Sequence, residues 1–192
     1  MTAGVLVLVV GPSGAGKDAL LAAARTAYAA DARFRFVRRV ITRPPEAGGE
    51  AHDSVTEAAF ASRAFALAWR AHGLAYGIPA DIATDLAAGR VVVANVSRTV
   101  IAEAARRFPV RVIAVTAPPE VLAARLAARG REDADDAARR LARAVALPGA
   151  VPAETVANDA TLAEGVARFL AALSRAAADV RPSGTAPQVP PG

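Results

Sequence analysis

The feature that most constrains this chain lies near its amino terminus, where an apolar run leads into a glycine-rich turn. Val5–Val10 reads VLVLVV and is followed by GPSGAGKD at residues 11–18. A continuous β-branched run is typical of a strand buried on both faces of a parallel sheet. The turn has the spacing G-x-x-x-x-G-K, in which backbone N–H groups and a helix N-terminus surround phosphate. The segment therefore predicts a strand, a phosphate-binding loop and a helix in direct succession.

Lysine is used once in the chain, at Lys17 inside this loop. The sequence holds 23 lysine and arginine residues together, and all the others are arginine. An ammonium on a flexible stem can fold over nucleotide phosphates, where the bulkier guanidinium is not equivalent. The alternative is chance in an arginine-biased sequence, at roughly one in 23 if every basic position were equally probable. We therefore expect Lys17 to reach the β- and γ-phosphates of a nucleotide.

Composition narrows the class of protein further. The 192 residues are 54% hydrophobic and include no cysteine, which suits one domain with a sizeable core and excludes disulfides and thiolate metal sites. The net charge of +5 favours anionic partners, but the arginines are scattered, so we expect small-molecule substrates and no nucleic acid. The run at residues 5–10 is too short to cross a membrane and does not read as a signal peptide, so a cytoplasmic protein is expected.

Strand-like and helix-like segments alternate along the chain. Strands are predicted at residues 5–10, 34–41, 66–72, 75–78, 90–95, 110–116 and 155–157. Helices are predicted at residues 18–30, 54–63, 80–88, 99–108, 118–128, 133–146 and 162–178. This alternation predicts an α/β fold with a parallel sheet covered on both faces, in one domain at residues 1–178. Residues 179–192 are rich in proline and glycine and are predicted to form a disordered tail.

Asp18 departs from the usual form of the loop, which has Ser or Thr as a Mg²⁺ ligand at this position. A carboxylate is a good ligand for Mg²⁺, so one interpretation is that Asp18 holds the ion directly or through water. The other is that Asp18 only stabilises the positive end of the helix. The apolar runs 91–94 and 112–115 lead to Asn95 and Thr116, so no carboxylate follows them. We expect an ion with few protein ligands.

With these residues in place, the chain resembles the guanylate-kinase-like P-loop kinases over about residues 5–175. The motifs that carry this likeness are GPSGAGK at 11–17, ITRPP at 41–45, RLAARG at 125–130 with RL at 140–141, and ND at 158–159. A subgroup, the ribose 1,5-bisphosphate phosphokinases of phosphonate degradation, is more similar still. Its motifs here are KD at 17–18, TRP at 42–44, GEAH at 49–52, AWRAHGLAYG at 68–77, NVSR at 95–98 and RGRE at 129–132.

The resemblance implies a P-loop three-layer fold with small acceptor-binding and lid subdomains, the lid at about residues 129–146. It also implies ATP-dependent phosphorylation of ribose 1,5-bisphosphate to 5-phosphoribosyl 1-diphosphate (PRPP), with ADP released and Mg²⁺ as cofactor. The implied catalytic residues are Lys17, Asp18, Arg129 and Arg140. The implied ATP-binding residues are Gly11, Pro12, Ser13, Gly14, Ala15, Gly16, Lys17, Asp18 and Asn158. The implied acceptor-binding residues are Thr42, Arg43, Glu50, His52, Trp69, Tyr76, Asn95, Ser97 and Arg98.

Several of these roles have structural alternatives. The lid arginines could form ion pairs with neighbouring acidic residues, and Trp69 and Tyr76 could serve packing alone. The chain also departs from true guanylate kinases, which bind guanine through a Glu and a Ser or Thr in the segment 67–78. Leu67 and Ile78 stand at those places and would leave the guanine edge without partners. These two residues argue against GMP as the acceptor, and a nucleoside monophosphate kinase is kept as the alternative function. The oligomeric state, a homodimer included, stays open.

Overall fold

The computed structural model describes residues 4–44, 51–128, 151–178 and 180. Its strands are β1 (Val5–Val10), β2 (Phe34–Phe36), β3 (Arg39–Ile41), β4 (His52–Ser54), β5 (Phe65–Ala71), β6 (Leu74–Pro79), β7 (Val91–Asn95), β8 (Val110–Thr116) and β9 (Ala153–Ala157). Its helices are α1 (Lys17–Ala27), α2 (Glu57–Ala61), α3 (Ile82–Ala87), α4 (Ile101–Arg107), α5 (Pro119–Ala128) and α6 (Leu162–Ala178). The predicted lid, and all of the predicted tail except Val180, lie outside the described residues. No helix in the described part of the chain is long and apolar enough to span a membrane.

A five-stranded parallel sheet forms the centre of the fold, in the order β2-β7-β1-β8-β9. All six residues of β1 are buried, because the strand has a neighbour on each edge and helices over each face. Leu6, Leu8 and Val10 enter one apolar core, which includes residues of α3 and α4. Their alternating neighbours Val5, Val7 and Val9 enter the other, with residues of α1 and α6. The α/β prediction is thereby confirmed.

A second sheet, in the order β4-β3-β6-β5, stands beside the first. The predicted single strand at residues 34–41 is wrong, because β2 belongs to the parallel sheet and β3 to this second one. The backbone N–H of Val37 still donates to the Val93 carbonyl at 2.9 Å, and the Val37 side chain is buried. The buried Val37 thus continues the apolar pattern into the crossover and conceals it in the sequence. The predicted helix at residues 54–63 is likewise shorter, since Ser54 ends β4 and α2 begins at Glu57.

A two-residue turn joins β5 to β6 and sets the register of their pairing. His72 has φ 53° and Gly73 has φ 72°, the two positive values that a type I′ turn requires. Ala71 therefore pairs with Leu74, and Trp69 lies opposite Tyr76. Pro79 is the last residue of β6, and the helix predicted at residues 80–88 begins at Ile82.

Asn158, which follows β9, supports the glycine-rich loop from within the protein. Its side chain is buried, and its Nδ2 donates to the Ala15 carbonyl at 2.8 Å. Gly16 has φ 88°, and a Cβ there would lie 2.3 Å from Asn158 Nδ2. A Cβ at Gly165, in α6, would lie 2.3 Å from Asn158 Oδ1. The amide therefore occupies a space between the loop and α6 that exists because both neighbouring residues are glycine.

We predict that Gly165→Ala lowers the free energy of unfolding by about 1–3 kcal/mol, because the new methyl group overlaps the Asn158 amide. The sign of this change is diagnostic, since replacing a glycine inside a helix by alanine ordinarily raises the free energy of unfolding by about 1 kcal/mol. Urea unfolding followed by circular dichroism measures the change. Adding Asn158→Ala to Gly165→Ala removes the overlapping group, so the double variant should lose no more stability than Asn158→Ala alone. An unchanged or increased free energy of unfolding in Gly165→Ala would contradict the role assigned to the amide.

Candidate active site

The glycine-rich loop connects the carboxyl end of β1 to α1, which begins at Lys17. Gly14 and Gly16 have φ values of 82° and 88°, and the Ala15 N–H bonds to the Pro12 carbonyl at 3.3 Å. The chain thus turns back over itself at the amino end of an eleven-residue helix. Free backbone N–H groups and the helix dipole both favour an anion at such a place. The loop has the architecture that its sequence predicts.

Lys17 folds over this loop. Its Nζ donates to the Gly11 carbonyl at 2.8 Å and to the Pro12 carbonyl at 3.0 Å. Hydrogen bonds between two charged groups are stronger than those to neutral carbonyl oxygens. A phosphate entering the loop can therefore compete for the ammonium.

Asp18 and Asn95 meet beside the loop. Asp18 lies in the first turn of α1, and Asn95 is the buried last residue of the adjacent strand β7. Asn95 Nδ2 lies 3.4 Å from Asp18 Oδ1, a long hydrogen bond. The predicted metal ligand and one predicted acceptor-binding residue are thus brought together, because β1 and β7 are parallel neighbours.

A cavity of about 280 Å³ opens between this loop and the second sheet. Its lining residues are Gly11, Ser13, Gly14, Gly16, Lys17, Asp18, Arg39, Trp69, Ala71, His72, Tyr76, Asn95, Val96 and Ser97. Three separately predicted groups, the loop, the end of β7 and the aromatic pair on β5 and β6, therefore share one cavity. Arg39 and His72 line it although neither stands among the predicted site residues. In the sequence, Arg39 is recognisable only as a charged residue at the start of a short strand whose next two residues, Val40 and Ile41, are buried.

The aromatic pair forms a wall of this cavity. The Trp69 and Tyr76 rings are stacked, with centroids 5.4 Å apart and planes inclined by 6°. The Arg39 guanidinium carbon lies 5.6 Å from the Tyr76 ring centroid, within cation–π range. On the opposite side of the loop, Arg125 Nη1 of α5 lies 3.5 Å from the Gly14 carbonyl. Cationic groups of α1 (Lys17), β3 (Arg39) and α5 (Arg125) therefore stand around the anion-binding loop.

Thr42 and Arg43 line a neighbouring cleft of about 410 Å³. The Ala75 N–H donates to Thr42 Oγ1 at 2.9 Å, which ties this segment to β6. Arg43 Nη2 lies 3.5 Å from the hydroxyl of Tyr76, which lines the first cavity. Glu57 also lines the cleft, and hydrogen bonds from Arg70 and then from Thr42 lower the pKa of its carboxyl.

The other predicted site residues lie at varied places. His52 is in β4, paired in register with Arg39. Ser97 accepts a hydrogen bond from the Thr99 N–H and caps the short 3₁₀ helix Arg98–Val100, and Arg98 does not line the cavity beside the glycine-rich loop. The Asn158 side chain contacts the loop from inside the protein, and its predicted role in ATP binding stays a prediction. Glu50, Arg129 and Arg140 lie outside the described residues.

The loop that follows β9 is held by its own ion pair. Arg168 of α6 donates to the Ala157 carbonyl at 2.8 Å and to Asp159 Oδ1 at 2.7 Å. The bond from Arg168 holds the pKa of the Asp159 carboxyl below its ordinary value. These two bonds from Arg168 hold the segment from which the Asn158 amide reaches the glycine-rich loop.

Comparison with known proteins places this site in a family. No protein-family model matches the chain. It is 55% identical over 175 residues to ribose 1,5-bisphosphate phosphokinase PhnN of Acidiphilium cryptum, covering 90% of this chain and 93% of that protein. It is 52% identical over 178 residues to the protein of the same name from Methylobacterium radiotolerans, with coverages of 88% and 97%. In structure it resembles guanylate kinase from Anaplasma phagocytophilum, with a TM-score of 0.65, 17% identity and coverages of 91% and 86%. The chain shares the fold of guanylate kinase and belongs to the ribose 1,5-bisphosphate phosphokinase family.

Proposed function

We propose that this kinase transfers the γ-phosphoryl group of ATP to the 1-phosphate of ribose 1,5-bisphosphate, which gives PRPP and ADP. The observation that carries the proposal is the shared cavity, in which Lys17 and its loop face the second sheet. The loop provides the donor side, and Arg39, Trp69 and Tyr76 provide a cationic and aromatic acceptor side. The names of the relatives agree with this acceptor.

The reaction needs positioning and neutralisation of charge more than proton transfer. An oxygen of the acceptor phosphate attacks the γ-phosphorus of ATP, a new P–O bond forms, and the bond to the β-phosphate oxygen breaks. The acceptor oxygen is already anionic near neutral pH, because the second pKa of a phosphate monoester is about 6. No general base is required. Lys17 stabilises the negative charge that gathers on the β- and γ-oxygens, as does the positive end of α1.

Mg²⁺ is proposed as the cofactor, and the donor set beside the loop fits it. Asp18 is a hard oxygen ligand in the first turn of α1, next to the Asn95 amide. The described residues contain no cluster of three or more acidic, histidine or cysteine side chains that could enclose a metal ion. Asp18 would hold the ion together with water and nucleotide oxygens, and the bound ion supplies neutralisation of phosphate charge.

The acceptor pocket is poorly suited to a purine. Leu67 and Ile78, which stand where guanylate kinases have polar guanine ligands, pair in register and are almost fully buried. Both side chains belong to an apolar core and neither lines the cavity, so these two positions offer a guanine edge no hydrogen-bond partner. A sugar phosphate has no such edge. This supports a ribose phosphate over a nucleoside monophosphate as the acceptor.

A panel of acceptors tests the proposed function. Purified protein with MgATP is offered ribose 1,5-bisphosphate, ribose 5-phosphate, GMP or AMP, and the products are followed by phosphorus NMR. Of the four acceptors, we expect only ribose 1,5-bisphosphate to give the diphosphate signals of a second product besides ADP. Absence of that product, or faster transfer to GMP, would contradict the proposal.

We predict that Lys17→Met lowers kcat by roughly a hundredfold or more, since it removes one preorganised charge from the transition state. The fold should be kept, because the Lys17 ammonium contacts carbonyls of a surface loop and is not part of either core. Coupled ADP release measures the rate, and thermal unfolding checks the fold. Lys17→Arg is the matched variant that keeps the charge. Full activity in Lys17→Met would contradict the assignment, and wild-type activity in Lys17→Arg would show that charge alone suffices.

We predict that Asp18→Asn raises the Mg²⁺ concentration needed for half-maximal rate by roughly tenfold, because a carboxylate ligand is lost. The affinity for metal-free ADP should change little or improve, since a negative charge near the phosphates is removed. Titration of the rate with Mg²⁺ and calorimetric titration with ADP give the two quantities. Equal losses of Mg²⁺ affinity and of ADP affinity would favour the alternative, in which Asp18 only stabilises the helix end.

A further inference from the structure

Tyr76 holds two arginines by two different parts of its side chain. The Arg39 guanidinium lies against its ring, 5.6 Å from the centroid, and Arg43 Nη2 approaches its hydroxyl oxygen at 3.5 Å. Trp69 stacks on the same ring, and Tyr76 is 6% exposed, so the ring has little freedom to move. A buried phenol thus contacts two guanidinium groups at once, one through its ring and one through its hydroxyl.

The strand register explains how Arg39 reaches the cavity. Ile41 and Tyr76 are paired across β3 and β6, and Tyr76 is paired with Trp69 across β6 and β5. Arg39 is two residues before Ile41, so it projects from the same face of the sheet as Tyr76. A diagonal neighbour on one face lies about 7–8 Å away, a distance that a long side chain spans. Arg39 thereby stands on the wall that faces Lys17 across the cavity.

The two arginines do not occupy the same cavity. Arg39 lines the cavity that contains Lys17 and Asp18, whereas Arg43 lines the neighbouring cleft with Thr42 and Glu57. A planar guanidinium suits phosphate, because it can donate two parallel hydrogen bonds to phosphate oxygens. Stacking on an aromatic ring also orders the guanidinium before the ligand arrives, which reduces the entropy lost on binding. An acceptor with phosphates at both ends needs two such groups at a fixed separation.

We propose that Arg39 binds the acceptor phosphate that faces the glycine-rich loop, and that Tyr76 is a positioning residue that sets its distance from Arg43. This assignment rests on the proposed function, since it takes ribose 1,5-bisphosphate as the acceptor. It gives the reacting phosphate a cationic ligand from β3, separate from the nucleotide's ligands in the loop. Arg43 then holds the far phosphate, in the neighbouring cleft.

Arg39→Ala tests the first part, with Arg38→Ala as the matched control. Arg38 is the preceding residue, carries the same charge, is more than half exposed and forms an ion pair with Asp53 at 3.2 Å. Calorimetric titration measures the affinity for ribose 1,5-bisphosphate without nucleotide, and for MgADP without acceptor. We expect Arg39→Ala to weaken acceptor binding by roughly 10- to 100-fold, the loss typical of a charged hydrogen bond. MgADP affinity should stay within about twofold, and Arg38→Ala should leave both affinities near those of the wild type.

The results separate the two proposals. If the wild type binds ribose 1,5-bisphosphate and Arg39→Ala binds it equally well, the assignment of Arg39 is overturned and the proposed function is unaffected. If Arg39→Ala weakens MgADP as much as the acceptor, Arg39 is a nucleotide ligand and the assignment is again overturned. If the wild type does not bind ribose 1,5-bisphosphate, both proposals fail.

Tyr76→Phe and Tyr76→Leu test the positioning role. Phenylalanine keeps the ring under Arg39 and loses the hydroxyl near Arg43, so we expect a loss of acceptor affinity of only a few fold. Leucine removes the ring as well and should approach the loss seen in Arg39→Ala. In a double-mutant cycle, Arg39→Ala should cost much less in the Tyr76→Leu background than in the wild type, because coupled residues are not additive. Additive losses would show that Tyr76 serves packing alone and would overturn its positioning role.

Discussion

The parallel pairing of β1 between β7 and β8 is the constraint on which the site depends. It is made possible by a strand with no polar side chain, whose two faces enter two separate cores. Because parallel strands end at the same edge of the sheet, the pairing brings the glycine-rich loop beside Asn95. Polar substitutions in β1 would disturb these cores and, with them, the position of the loop.

The loop itself depends on support from the far end of the chain. The Asn158 amide reaches Ala15 from the segment after β9, and α6 leaves room for it by placing Gly165 opposite. Arg168, also on α6, clamps the same segment through Ala157 and Asp159. An anion-binding loop needs its N–H groups directed inward before the ligand arrives, since ordering them during binding would reduce affinity. The last strand and helix provide that order.

Much of this architecture could be predicted from the sequence, for identifiable reasons. Val5–Val10 and Val110–Thr116 were predicted at their observed bounds because each is an apolar run followed two residues later by a proline. Leu162–Ala178 was predicted because its apolar residues recur at helical spacing. The crossover at Val37 was missed because a buried valine continues the pattern where the chain leaves one sheet for another. Lys17 could be singled out because the sequence contains no other lysine. Arg39 could not, because its proximity to the cavity arises from the pairing of β3 with β6, and a charged residue beside two buried ones does not reveal which strand it pairs with.

A crystal structure with Mg²⁺ and a non-hydrolysable ATP analogue tests the central claim most directly. We predict a triphosphate within the turn at residues 11–16 and the Lys17 ammonium moved from the Gly11 and Pro12 carbonyls onto the β- and γ-phosphate oxygens. A nucleotide bound elsewhere with this turn empty, or Lys17 still bonded to both carbonyls beside a bound triphosphate, would contradict it.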